Sequence, residues 1–191
     1  MRTADTDRIC GESWKLAIYA YGTATIFQAR SRRYRSLIRT LTFIGIVVPL
    51  LIGGVVLGFG LHASFLPLLL VIASAAGVFQ LGFSAWAVVY AWADNLEYSL
   101  DSATDNLELS ARFKELGTLA VDPPPDLTAT FAIVKAKDDA RRAADSKKGV
   151  TDRELRYGHR AALRQFERKC EGCQQVPRSM DSTECPICGR F

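Results

Sequence analysis

The stretch TLTFIGIVVPLLIGGVVLGFGLHASFLPLLLVIASAAGVFQLGFSAWAVVYAWA, residues 40–93, contains no Asp, Glu, Lys or Arg in 54 consecutive positions. The chain's 24 basic and 20 acidic side chains are therefore confined to the remaining 137 residues. A mean hydropathy of +0.07 averages an oily middle with two water-loving flanks. A soluble domain builds its core from interrupted apolar stripes, so one long charge-free block excludes that architecture. A cleaved secretory leader is excluded as well, because its apolar segment is short and close to the N-terminus. The block reads as membrane-spanning.

A bilayer core of roughly 30 Å needs about 20 helical residues at 1.5 Å each. The block is too long for one crossing and suits two, joined by a tight turn. Gly60-Leu61-His62-Ala63-Ser64 is its most polar part and is expected to be that turn. Pro67 follows, in the first turn of a helix, where its missing donor would be unpaired anyway. The spans are placed at about 41–60 and 65–90, and Pro49 is expected to kink the first. Arg30, Arg32, Arg33, Arg35 and Arg39 precede the first span, whereas the turn has no basic residue. Basic residues near span ends stay on the cytoplasmic side, so both termini are expected there. Trp86, Tyr90 and Trp92 suit an aromatic belt at that interface.

Ser13–Arg39 reads as a helix leading into the first span. Past the second span, Leu96, Leu100, Ala103 and Leu107 step by four, three and four, marking one helical face. Asp94, Glu97, Asp101, Asp105 and Glu108 form a parallel acidic ribbon. Two readings stay open. In one, the helices leave the membrane as a packed stalk, with Arg32, Arg35 and Arg39 near Asp94, Glu97 and Asp101. In the other, the arginines hold lipid headgroups and the acids face water. Exposed ion pairs are worth about 0–1 kcal/mol, so the apolar seam must decide the packing.

Within the spans, Gly54 and Gly58 form a G-x-x-x-G pair, which serves either self-association or packing within one hairpin. Gln80 is the one strongly polar side chain deep in the block and wants a partner: a helix of its own chain or a wet pore. With no carboxylate or lysine in the spans, a proton-coupled transporter is disfavoured.

The tail begins at Pro123-Pro124-Pro125, which stops the preceding helix. Asp126 offers an N-cap for a helix to about Lys148, Gly149 a stop, and Thr151 with Glu154 a capping box for a helix to about Lys169. Arg153, Arg156, Arg160, Arg164 and Arg168 read as a solvated face more readily than as a nucleic-acid patch. Cys170-x-x-Cys173 and Cys185-x-x-Cys188 are separated by eleven residues. Two such pairs supply four thiolates to one structural zinc, with Gly189 easing the second tight turn. Four cysteines leave no open coordination position, so metal catalysis is not expected, and no nucleophile–base set or phosphate loop appears. The expectation is a non-enzyme. Cys10 is left as a free thiol; His62 and His159 read as a turn residue and a helix-surface residue.

The fold class expected is an all-α membrane protein: a two-helix transmembrane hairpin with long cytoplasmic helical extensions and a small zinc-ribbon-like module. Its segments are 1–39, 40–93, 94–122, 123–169 and 170–191. Over about residues 10–118 this order, with Trp14, Tyr34-Arg35-x-Leu37, Trp92 and Leu96, resembles the SLATT domains, two-transmembrane modules of bacterial antiviral conflict systems. The tail spacing is similar to that of bacterial mobile-element proteins described by the same cysteine pattern. The resemblance implies an inner-membrane effector that oligomerises into a pore or disrupts the bilayer once infection is sensed. Its partners would be the lipid bilayer and further copies of itself. The chain departs from the family in lacking a recognisable nucleotide-sensor domain, so its trigger would be either a separate sensor or signalling protein or the zinc-capped tail; nucleic acid is not an expected partner. The competing expectation is a membrane-anchored adaptor whose zinc-bearing tail docks a protein or nucleic-acid partner.

Overall fold

The computed structural model describes residues 4–59, 66–119 and 124–191, and among them the chain is helical without a strand. The expected turn at 60–64, with His62, and Pro123 lie outside the described residues. Five helices follow in order: α1 Ala4–Phe59, α2 Leu66–Val89, α3 Trp92–Thr118, α4 Leu127–Ser146 and α5 Asp152–Gln165. Helix α1 is 56 residues long and carries Pro49 inside it. Its apolar end and α2 are both long and apolar enough to cross a membrane. Contacts divide the chain into two compact units, Arg30–Tyr98 and the remainder.

In the Arg30–Tyr98 unit, α2 does not run straight into α3. Ala91 is left-handed, with φ 47°, a conformation that costs a residue with a side chain about 1–2 kcal/mol. The Asn95 amide offsets part of this by donating to the Tyr90 carbonyl at 3.0 Å. Trp86 and Tyr90 stack with centroids 4.6 Å apart, while Trp92 is buried edge-on to Phe83.

The other unit is organised around the first half of α1. Ser13, Ala17, Ala20 and Ala24 step by four, three and four and are fully buried, so neighbouring helices approach closely. Helix α3 runs antiparallel to it: Trp14 Nε1 donates to the Gly117 carbonyl at 3.1 Å and Ser110 Oγ to that of Ala17 at 2.8 Å. Helix α5 crosses at a glycine pair, where a Cβ on Gly158 would stand 2.5 Å from the Gly22 carbonyl oxygen. Phe166 sits edge-on to both Trp14 and Tyr21. Helix α4 contributes the Lys135–Glu12 ion pair and places the Arg142 guanidinium over the Tyr19 ring at 4.0 Å. Ile9, Leu109, Phe113, Leu116, Leu127, Phe131 and Val134 fill the space between.

The inward face of α3 differs from the expected leucine seam. Leu100 and Leu107 are exposed, and Ser99, Ser102, Asn106 and Ser110 are buried beside Ala103 and Leu109. The reason is a polar layer: Ser102 Oγ and Asn106 Nδ2 donate to the Asp145 carboxylate of α4 at 2.8 and 2.9 Å, and Arg141 closes the set. A buried network with its members satisfied is stable and specifies one register. The α5 capping box forms as expected, between Thr151 and Glu154. Asp126 occupies the α4 N-cap position but makes no side-chain cap bond, and α4 ends at Ser146, before Gly149. Helix α5 ends at Gln165 rather than near Lys169.

Gly158→Leu should lower stability by about 1–3 kcal/mol through overpacking, whereas Gly11→Ala, which meets nothing within 4 Å, should not; thermal unfolding of the detergent-solubilised chain checks both. Asp138 is almost wholly buried, and burial raises its carboxyl above 3.8 despite Arg142 beside it. The folded chain then keeps a proton that the unfolded chain releases. Stability should therefore fall as pH rises from about 3.8 through the raised value, and Asp138→Asn should flatten that slope.

Candidate metal centre

Helix α5 stops with a Schellman arrangement built on a non-glycine. Glu167 is left-handed at φ 50°, Arg168 N donates to the Leu163 carbonyl at 2.9 Å and Glu167 N to that of Arg164 at 3.4 Å. This turns the chain sharply into the first cysteine pair. The two pairs then form similar knuckles. Gln174 N reaches the Cys170 carbonyl at 2.8 Å, and Gly189 N reaches that of Cys185 at 2.9 Å. Gln174 and Arg190 are both left-handed at φ 56°. Glycine at 189 is required by space: a Cβ there would overlap the Thr183 carbonyl.

The knuckles bring the four Sγ atoms of Cys170, Cys173, Cys185 and Cys188 within 4.8 Å of one another. Cys170 and Cys185 are 3.9 Å apart, and Cys173 and Cys188 3.8 Å. A tetrahedral zinc with Zn–S of about 2.3 Å has sulfur–sulfur edges of about 3.8 Å, so the donor set and its spacing fit such an ion. Backbone N–H groups of Cys188 and Ile187 lower the Cys185 thiol to about 6, while burial pushes Cys188 upward. A bound cation favours the thiolate at every position. The module differs from the expected ribbon in one respect: its described residues form turns and no strand.

Arg160, which the sequence placed on a solvated basic face, is buried beneath this module. Its Nε donates to the Ser179 carbonyl at 2.8 Å, and its Nη1 lies 3.3 Å from the Cys188 carbonyl and 3.8 Å from Cys188 Sγ. Leu163, one turn along α5, packs against Cys170 and Cys188. Arg156 Nε reaches the Arg190 carbonyl, and Tyr157 meets Phe191 edge-on. Arg160 stands three residues before Leu163, and that was its only trace in the sequence. His159 is half-buried, which lowers its pKa.

The remaining candidates lie elsewhere. Gln80 points at Gly45, where a methyl group would overlap its amide nitrogen, so this glutamine packs on the other helix of its own hairpin. A Cβ on Gly54 or Gly58 would meet nothing within 4 Å. Arg32, Arg35 and Arg39 are exposed, as are Asp94 and Glu97, and among the described residues of their unit no ion pair joins the two sets. Asp101 belongs to the other unit. Cys10 is buried and donates to the Leu116 carbonyl at 3.6 Å.

The signature of the mobilome CxxCx(11)CxxC proteins matches residues 11–191. It covers the hairpin and the helical unit as well as the cysteines, and the chain belongs to this family. Neither a curated protein nor a solved structure matches the chain.

Metal analysis of the purified full chain should find one zinc, lost in Cys188→Ser. Arg160→Met should retain the fold of the helices and weaken zinc retention against a chelator by about 10–100-fold, as removing a supporting neighbour does elsewhere.

Proposed function

We propose that this mobilome CxxCx(11)CxxC protein is a non-enzymatic effector of a bacterial inner membrane. On this reading it is a SLATT-type module whose hairpin crosses the bilayer twice, with both termini cytoplasmic, and whose cysteines hold one zinc. Several copies assemble and permeabilise the membrane in antiviral defence. The observation that carries the reading is the outward apolar surface of the hairpin: Leu57, Val78, Val88 and Val89 are each more than 70% exposed. Side chains so placed need lipid or another copy against them. Two helices enclose no lumen, so conduction requires an assembly. The trigger is a separate sensor or signalling protein, read through the zinc-bearing helical unit.

A second reading, the membrane-anchored adaptor, is favoured by a groove of about 550 Å³ between α1 and α5, with Trp14, Ile18 and Leu163 along it and Lys15 and Arg168 at its rim. Removal of residues 123–191 would not separate the two readings, because Leu127, Phe131 and Val134 belong to the core. Point variants do. Bacteria expressing the full chain should take up a membrane-potential dye differently from controls, showing depolarisation that Gly54→Leu abolishes and Lys15→Glu leaves intact. Function lost in Lys15→Glu without any depolarisation by the parent chain would identify the adaptor instead.

A further inference from the structure

Helix α1 carries one continuous exposed face from its arginine-bearing flank into the apolar block. Arg32, Arg35 and Arg39 step by three and four. The same step continues through Phe43, Ile46 and Leu50 to Gly54, and every one of these residues is exposed. Packing within the hairpin uses another side of the helix. Gly45, against which Gln80 rests, is two residues from Phe43 and so about 200° around at 3.6 residues per turn. The opposite charges on α3, Asp94 and Glu97, are exposed, and among the described residues of the same unit no ion pair reaches them. Each set thus lacks a partner among the described residues of this unit.

We infer that the Arg32–Gly54 face of α1 docks onto a second copy of this chain, with Arg32, Arg35 and Arg39 meeting the Asp94 and Glu97 of that copy. This rests on the reading of an assembled membrane hairpin and adds the surface by which it assembles. Charge complementarity selects the occupant, and the bilayer supplies the register. Arg39 and Asp94 immediately bound the charge-free block at its two ends, so both lie at one membrane surface. Neighbouring copies in one bilayer then hold these groups at equal depth without further adjustment. Exposed ion pairs add little affinity, about 0–1 kcal/mol each, but they fix orientation and exclude like-charged approaches. Contact between different faces of successive copies is heterologous, the kind of interface that closes into rings.

Cross-linking between differently tagged chains tests this. Chains with Arg35→Cys and chains with Glu97→Cys, both in a Cys10→Ser background, are co-expressed and their zinc-replete membranes treated with a short bismaleimide. A dimer carrying both tags should form, and neither cysteine variant expressed alone should cross-link to itself. It should weaken several-fold when Arg39→Glu is added to the first chain and recover when Asp94→Arg is added to the second. Failure of the mixed dimer overturns the inference, most directly if a chain bearing both cysteines instead links internally, read as a change in its own gel mobility that does not depend on dilution. The dye measurement is separate: a mixed dimer without depolarisation would sink the permeabilising function and leave this interface standing.

Discussion

Close approach to one small-residue stripe organises the helical unit. Ser13, Ala17, Ala20 and Ala24 offer no bulk on α1, and α3 is therefore near enough for Ser110 to bond the backbone of α1 itself. On another side, Gly22 and Gly158 let α5 cross with backbone nearly against backbone. Such contacts trade side-chain burial for backbone proximity. They leave the larger apolar residues, Phe113 and Phe131 among them, to fill the gaps between α1, α3 and α4. Dense interiors tolerate little change in volume, so the glycine crossing sets where α5 lies and, with it, where the cysteine module is held.

That module is attached by more than its linker. A buried guanidinium on α5 holds the Ser179 and Cys188 carbonyls, and its positive charge lies beside a cluster that is negative when its thiolates bind a divalent ion. The same residue thus serves the packing of the tail and the electrostatics of the centre. The knuckles themselves are tight because of local constraints: Gly189 in a space with no room for a Cβ, and Gln174 and Arg190 in left-handed conformations. Structural zinc sites contribute folding energy outright, and in this chain a zinc at the four cysteines would couple that energy to the face of α5 that carries Arg160 and Leu163.

The hairpin unit is long and apolar enough to suit a different solvent. Backbone groups in hydrocarbon must bond within their own segment, which makes helix the economical choice for residues without charge. The amide of Gln80 is accommodated on a glycine of the facing helix rather than directed outward. Its outward surface is apolar, with glycines at 53, 54 and 58 that meet nothing in their own chain. In water such a surface would aggregate; in a bilayer it is ordinary, and its small residues permit close contact with another helix.

Where charge was absent over 54 positions, the sequence by itself determined two long apolar helices, because no other backbone arrangement suits such a block in lipid. The four-cysteine spacing and the Thr151–Glu154 capping box were equally legible, since both depend on residues a few positions apart. The α3 interior was not: hydropathy favoured Leu100 and Leu107, but Asp145, distant in sequence, makes Ser102 and Asn106 the better buried pair. Arg160 looked like every other arginine on α5 until the tail folded over it. The break at Ala91 was likewise silent, as alanine gives no local signal of a left-handed turn. Only tertiary structure decides such features, because a polar or small residue is buried or exposed according to partners that come from elsewhere in the chain.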